Sequence, residues 1–342
     1  MIVFAVYRSS FHMYLSEMET SRYLDRPAKR RRWLRRVLVM VLLLAACLGG
    51  ILYWRPLWVI DASTRAWLRV MGVRSEYVQL GGHRIHYLTG GRGRPLVLVH
   101  GLGGRAQNFA FAIPSLMRAG YRVYALDLLG FGRSDRPDVD YSIALQTEVL
   151  RQFFDSQHLA QADLGGWSMG GWVALNFAVL HPDRVRRIFV DDSAGLEFKP
   201  AFDPALFHPA TAQQAQRLMA LLTPRANLIP RFVARDITRE FRATGWVVDR
   251  AMKSMMAGAD LLNGKLNAIH IPVLIVWGEQ DALIPLACGE EMHREMPQSI
   301  LAIFDGCGHL APIECNYRVL PETLRFLEAE PPLPPSVREV PR

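Results

Sequence analysis

The pentapeptide Gly166-Trp167-Ser168-Met169-Gly170 sets a serine between two glycines. It follows the apolar run Ala162–Trp167 and opens a helical pattern near Gly170. A serine on such a tight strand-to-helix turn sits in a strained backbone conformation with its hydroxyl presented outward. Gly166, Gly170 and Gly171 lack the side-chain bulk that would hold strand and helix apart. The helix N-terminus turns its free N–H groups and partial positive charge toward the same point. The chemistry implied is nucleophilic attack by Ser168 on an ester-like carbonyl through an acyl intermediate.

A serine nucleophile needs a base, and the base needs an acid to orient it. Val273–Trp277 reads as a strand that ends in Gly278-Glu279-Gln280-Asp281, and one helix and one strand later comes Asp305-Gly306-Cys307-Gly308-His309. Both segments follow strand C-termini, the edge at which parallel sheets place their ligands. His309 is therefore the expected base and Asp281 the leading acid. Glu279, and Asp191 and Asp192 after the preceding strand, are rival acids, and Asp305 reads as a turn residue. Two backbone N–H donors must face the developing oxyanion. Met169, directly after the serine, supplies one; Leu102 of His100-Gly101-Leu102-Gly103-Gly104 is the expected second, with His100 structural.

These residues require a scaffold. Glu76–Leu80 and His83–Leu88 alternate around Gly81-Gly82 as a hairpin. Strand patterns follow at Leu96–His100, Arg122–Leu128, Ala162–Trp167, Arg187–Val190, Val273–Trp277 and Ile300–Phe304. Helical stretches such as Ile143–His158, Gly170–Leu180, Gly289–Met296 and Asn316–Glu328 separate them. The alternation predicts an α/β fold with a mostly parallel central sheet and helices on both faces. Residues 198–266 break the rhythm with helix-like, proline-punctuated sequence rich in large apolar side chains, which reads as a helical cap insertion. After Glu330 the prolines at 331, 332, 334 and 335 read as a tail without globular patterning.

Together Leu96–Gly104, Asp127–Ser134 (DLLGFGRS), Gly165–Gly171 (GGWSMGG), Val273–Asp281 and Gly306–His309 resemble the α/β-hydrolase fold family over residues 76–328. The order serine, acid, histidine agrees with that resemblance. The S-M-G-G turn and the HGLGG loop are most similar to bacterial lipases and esterases, and the N-terminus to membrane-bound monoacylglycerol lipases. Epoxide hydrolases and haloalkane dehalogenases are similar too but use aspartate where this chain has Ser168. Leu129 departs from the proline of many relatives without touching the expected site. The resemblance implies cofactor-free, metal-free hydrolysis of carboxylic esters. The apolar, methionine-bearing cap points to lipophilic acyl esters, acylglycerols included. A carbon–carbon bond hydrolase or perhydrolase would use the same three residues, and a scaffold that has lost catalysis would not be expected to keep all of them.

The formal charge of +8 suggests nucleic acid until it is localised. Residues 1–60 hold ten basic and three acidic side chains, leaving 30 basic against 29 acidic beyond. A near-neutral body removes the case for nucleic-acid binding. The excess belongs to residues 1–36, a basic and expectedly cytoplasmic segment before the uncharged run 37–54. Eighteen residues at 1.5 Å rise span roughly 27 Å, enough for a bilayer core. The sequence thus predicts a single-pass signal anchor, with the following domain on the non-cytoplasmic side. Tyr53, Trp54 and Trp58 would sit at its outer interface. Leu44-Ala45-Ala46-Cys47 also resembles a lipobox, although the apolar sequence beyond Cys47 favours an uncleaved anchor, and Met18 would be a more natural start. Residues 55–75 form an amphipathic linker, either against lipid or packed on the domain. Cys307 and Cys315 either bridge in an oxidising compartment or stay as buried thiols. The expected partners are a hydrophobic ester and membrane lipid; nothing in the sequence sets an oligomeric state.

Overall fold

A computed structural model describes residues 30–226 and 229–342. The expectations placed on Met18, Lys29 and the rest of 1–29 lie outside the described residues. The chain divides into two units, Met1–Pro56 and Leu57–Arg342. In the first, one helix, α1 (Arg30–Trp54), is long and apolar enough to cross a membrane, and none of its apolar window is buried against protein. It takes in the arginines ahead of the expected 37–54 span, because a basic run has ample helix propensity of its own.

The second unit is a nine-stranded sheet ordered β1-β2-β4-β3-β5-β6-β7-β8-β9. Its strands are β1 (Arg74–Leu80), β2 (His83–Gly91), β3 (Arg94–Val99), β4 (Tyr121–Leu126), β5 (Ala162–Trp167), β6 (Val185–Asp191), β7 (Val273–Gly278), β8 (Ser299–Phe304) and β9 (Ser336–Val340). The β1–β2 and β2–β4 pairs are antiparallel and all later pairs parallel. β5 and β7 are buried along their whole length, as continuous apolar runs covered on both faces must be. Helices α4 (Ile143–Ser156), α5 (Met169–Leu180) and α8 (Leu286–Glu295) supply one apolar core, and α3 (Ile113–Arg118) and α9 (Asn316–Glu328) the other. Each fully buried Leu, Ile or Val in these cores contributes about 1.5–3 kcal/mol. Helix α5 is apolar all round, since it is enclosed on every side.

Between β6 and β7 the predicted cap holds α6 (Ala212–Leu222) and α7 (Arg231–Met256) and no strand among its described residues. One reading changes. The tail after Glu330 is not free of structure: Ser336–Val340 is β9, pairing parallel with β8 from Ile300↔Ser336 to Phe304↔Val340. An edge strand half-buried on one face and exposed on the other carries only a weak core pattern, and the prolines ahead of it masked the rest. The 55–75 segment is a helix, α2 (Pro56–Val70), followed by the first residues of β1. Its inner face packs on the domain, with Leu68 and Val73 buried, while Ile60, Trp67 and Val70 stay exposed.

Candidate active site

Reversal of strand order at β3 makes the topological switch point of this sheet, and a crevice forms at the strand C-termini there. Ser168 ends β5 and precedes α5 with φ 56° and ψ −120°, a conformation costly for a non-glycine residue. The surroundings enforce it. The Ser168 N–H donates to Asp191 O of β6 at 2.9 Å, and Ser168 O accepts from Trp172 and Ala194 at 3.2 Å each. A Cβ on Gly170 would stand 2.1 Å from Val99 O, and one on Gly166 2.4 Å from Gly170 O. Glycine there is a steric requirement.

His309, 141 residues away in sequence, follows β8 and meets this serine: Ser168 Oγ and His309 Nε2 are 2.9 Å apart. His309 Nδ1 lies 2.8 Å from Asp281 Oδ2. A carboxylate only accepts, so Nδ1 carries the proton, Nε2 is the acceptor, and Ser168 donates to it. The Leu283 and Ile284 N–H groups donate to Asp281 Oδ1 at 2.8 and 2.9 Å, fixing the carboxylate plane. Asp281 and His309 side chains are almost wholly buried. All three residues meet at one sheet edge.

Of the rival acids, Glu279 makes no bond to His309. Asp192 Oδ1 instead accepts from the Gly278 N–H at 2.7 Å, holding the start of the Asp281 loop. Burial and the nearby Asp281 charge raise its carboxyl well above the usual range. Asp191 is raised to about 7 by burial. The HGLGG loop runs directly over the serine: a Cβ on Gly101 would lie 3.1 Å from Ser168 Cβ. His100 holds this loop, with Nδ1–H donating to Gly101 O at 2.8 Å and Nε2 accepting from the Leu128 N–H at 3.0 Å. Among the described residues, neither the Leu102 nor the Met169 N–H donates a hydrogen bond within the protein. Leu102 lines the crevice, and Met169 opens α5 directly after Ser168.

Three supporting residues had no sequence signal of their own. Trp167 Nε1 donates to His309 O at 2.9 Å. Glu314 Oε1 accepts from the Gly308 N–H at 2.7 Å, and its other oxygen takes the Thr223 hydroxyl at the end of α6. Leu310 N–H donates to Leu222 O at 3.0 Å, so cap and histidine loop are joined. The Cys307–Cys315 disulfide forms, with both residues buried. Only tertiary contact identifies this frame.

Above the serine the cap encloses a cavity of about 570 Å³. Phe198, Phe202, Phe207, Leu218, Phe241, Val248, Met252 and Met255 form much of its wall, with Ser168 and His309 at its base. Among its described lining residues only Glu197 and His309 are ionisable.

The profile of the α/β-hydrolase fold family matches residues 94–314. The chain belongs to the α/β-hydrolase fold family. Its relatives are chemically diverse. The dihydrolipoyllysine-residue acetyltransferase component of the acetoin cleaving system of Pseudomonas putida is 32% identical, over 76% of this chain and 70% of its own. A 2-hydroxy-6-oxo-6-(2'-aminophenyl)hexa-2,4-dienoic acid hydrolase of Metapseudomonas resinovorans is 29% identical, over 74% of this chain and 90% of its own. Among solved structures, that of a bacterial membrane phospholipase A aligns with a TM-score of 0.72 and 26% identity, covering 86% of this chain and 98% of that one. The α/β hydrolase described here is thus similar both to a dienoic acid hydrolase and to a phospholipase A.

Proposed function

We propose that this hydrolase cleaves carboxylic esters of lipophilic acyl chains, acylglycerols included, with Ser168 as nucleophile, His309 as base and Asp281 as orienting acid. The observation that carries the reading is the apolar cavity reaching Ser168 and His309 without a lysine or arginine in its described wall. A dienoic acid substrate carries a carboxylate, and burying that charge without a cation is costly. An acyl chain needs only apolar surface, which this cavity offers. The dienoic acid hydrolase among the relatives keeps a second substrate class in view, but the cavity chemistry supports the ester.

In the reaction, Ser168 Oγ attacks the ester carbonyl as its proton passes to His309 Nε2. Asp281 stabilises the imidazolium that forms and keeps Nδ1 protonated. The N–H groups of Leu102 and Met169 bind the oxyanion; one such donor is worth about 3–4 kcal/mol of barrier. His309 then returns the proton to the leaving alcohol, and water reverses the sequence to release the acid.

We further infer that α1 is an uncleaved anchor, with the arginines before it in the cytoplasm and the hydrolase domain on the far side. The apolar length of α1 and its basic start support this. The Cys307–Cys315 disulfide supports an oxidising compartment.

The test is a panel of p-nitrophenyl esters of rising acyl length and a vinylogous diketone, with fluorophosphonate labelling of native protein and Ser168→Ala. Turnover that rises with chain length, and labelling lost in the variant, is expected. Turnover of acetyl esters alone, or of the diketone alone, would overturn the substrate reading.

A further inference from the structure

Helix α2 has two faces, and the hydrolase site uses neither directly. The inner face is bound into the domain: Leu68 is buried, Gln107 Nε2 donates to Asp61 Oδ1 at 2.9 Å, and the Leu57 N–H donates to Asp236 Oδ2 of α7 at 3.0 Å. The outer face carries Ile60, Trp67 and Val70, which at i, i+7 and i+10 form one stripe. They are 54%, 38% and 85% exposed. Phe111, 64% exposed on the loop before α3, extends the stripe, its ring centroid 5.9 Å from that of Trp67. A contiguous apolar patch held this rigidly marks an interaction surface.

We propose that this stripe is an interfacial surface of the hydrolase domain, seated in the headgroup layer of the membrane that α1 enters. The inference rests on the reading of α1 as an anchor. That helix ends at Trp54 and α2 begins at Pro56, so chain connectivity alone keeps α2 beside the anchor's end. Amphipathic helices with tryptophan on the apolar side and arginine beside it partition to that layer. Arg69 is exposed in the last turn of α2. Arg65 and Arg105 both pair with Asp61, and Arg105 reaches Glu240 as well. Through Leu57 and Asp236 the stripe is tied to α7, whose Val248, Met252 and Met255 line the cavity. The cap is thereby held where lipophilic esters reside.

The experiment uses the full chain reconstituted in phosphatidylcholine–phosphatidylglycerol vesicles. A nitrobenzoxadiazole label on native Cys47, which is exposed in α1, reads the anchor through quenching by brominated acyl chains. Cys288 stays unlabelled, being buried with its thiol pushed up to about 11. In a Cys47→Ser background the label is then moved to Val70→Cys, Phe111→Cys or Val337→Cys, the last exposed on edge strand β9. The first two are expected to be quenched at least about threefold more than the third. Quenching at Cys47 with none at 70 and 111 overturns this inference and leaves the anchor reading standing. No quenching at Cys47 overturns both. Blue-shifted emission at 70 and 111 without bromine quenching, reversed by diluting protein in lipid, assigns the stripe to a second copy and overturns the membrane assignment.

Discussion

Cys307 and Cys315 close a disulfide eight residues apart in sequence, and His309 lies inside the loop they form. Gln280 N–H donates to Cys307 O at 2.8 Å, so the same loop is pinned to the segment that carries Asp281. Arg318 adds its Nη2, 2.7 Å from Cys307 Sγ. The bridge therefore positions His309 relative to Asp281. In Cys307→Ser/Cys315→Ser we expect stability to fall by about 2–3 kcal/mol. Loss of placement at His309 should lower kcat on the order of 10- to 100-fold with little change in KM. Steady-state kinetics on a soluble ester and thermal unfolding check this; an unchanged kcat refutes the positioning role.

Asp281 and Asp192 lie near one another but differ in task. Asp281→Asn removes the carboxylate that accepts from His309 Nδ1, and kcat should fall by about 10⁴-fold. Asp192→Asn keeps an oxygen for the Gly278 N–H and removes a carboxyl that is already hard to ionise, so activity should stay within about tenfold of wild type. Comparable losses in the two variants would show that the acid is shared.

Gly170 permits the contact of α5 with β3. In Gly170→Ala a methyl group meets Val99 O at 2.1 Å and His100 O at 2.5 Å, both backbone atoms with little room to give. We expect about 3 kcal/mol of destabilisation, read by urea unfolding, together with loss of fluorophosphonate labelling. Gly82→Ala makes no such contact, and its cost should come from its positive φ alone.

Asp191 makes stability depend on pH. Burial raises its carboxyl to about 7 from an ordinary 3.8. Below pH 3.8 both folded and unfolded forms are neutral and no penalty exists. Between these values the unfolded chain loses the proton first, so the folded state is penalised increasingly as pH rises. Above about pH 7 the penalty is complete, of order 4 kcal/mol. Asp191→Asn should therefore raise Tm more at pH 8 than at pH 5, as differential scanning fluorimetry would show. An equal effect at both values would mean that the carboxyl is charged in the fold.

Local rules wrote much of this protein into its sequence. The strand-to-helix turn at Ser168 is legible because its geometry demands Gly166 and Gly170 within a few residues. The parallel strands are legible because burial on both faces forces unbroken apolar runs, and α1 because a bilayer demands apolar length. Edge strand β9 was not legible, since a strand with only one half-buried face carries little of the core's apolar pattern. For the acid the sequence favours Asp281 over Glu279, Asp191 and Asp192 by its place after a strand, but sequence distance carries no information about which loop reaches across to His309. Docking of β7 beside β8 decided that, bringing Asp281 Oδ2 to 2.8 Å from Nδ1. The disulfide, the hold of Glu314 on Gly308 and Thr223, and the outward stripe of α2 are likewise decided by tertiary structure. Each depends on what lies across a contact, and one residue's neighbours along the chain do not determine its neighbours in space.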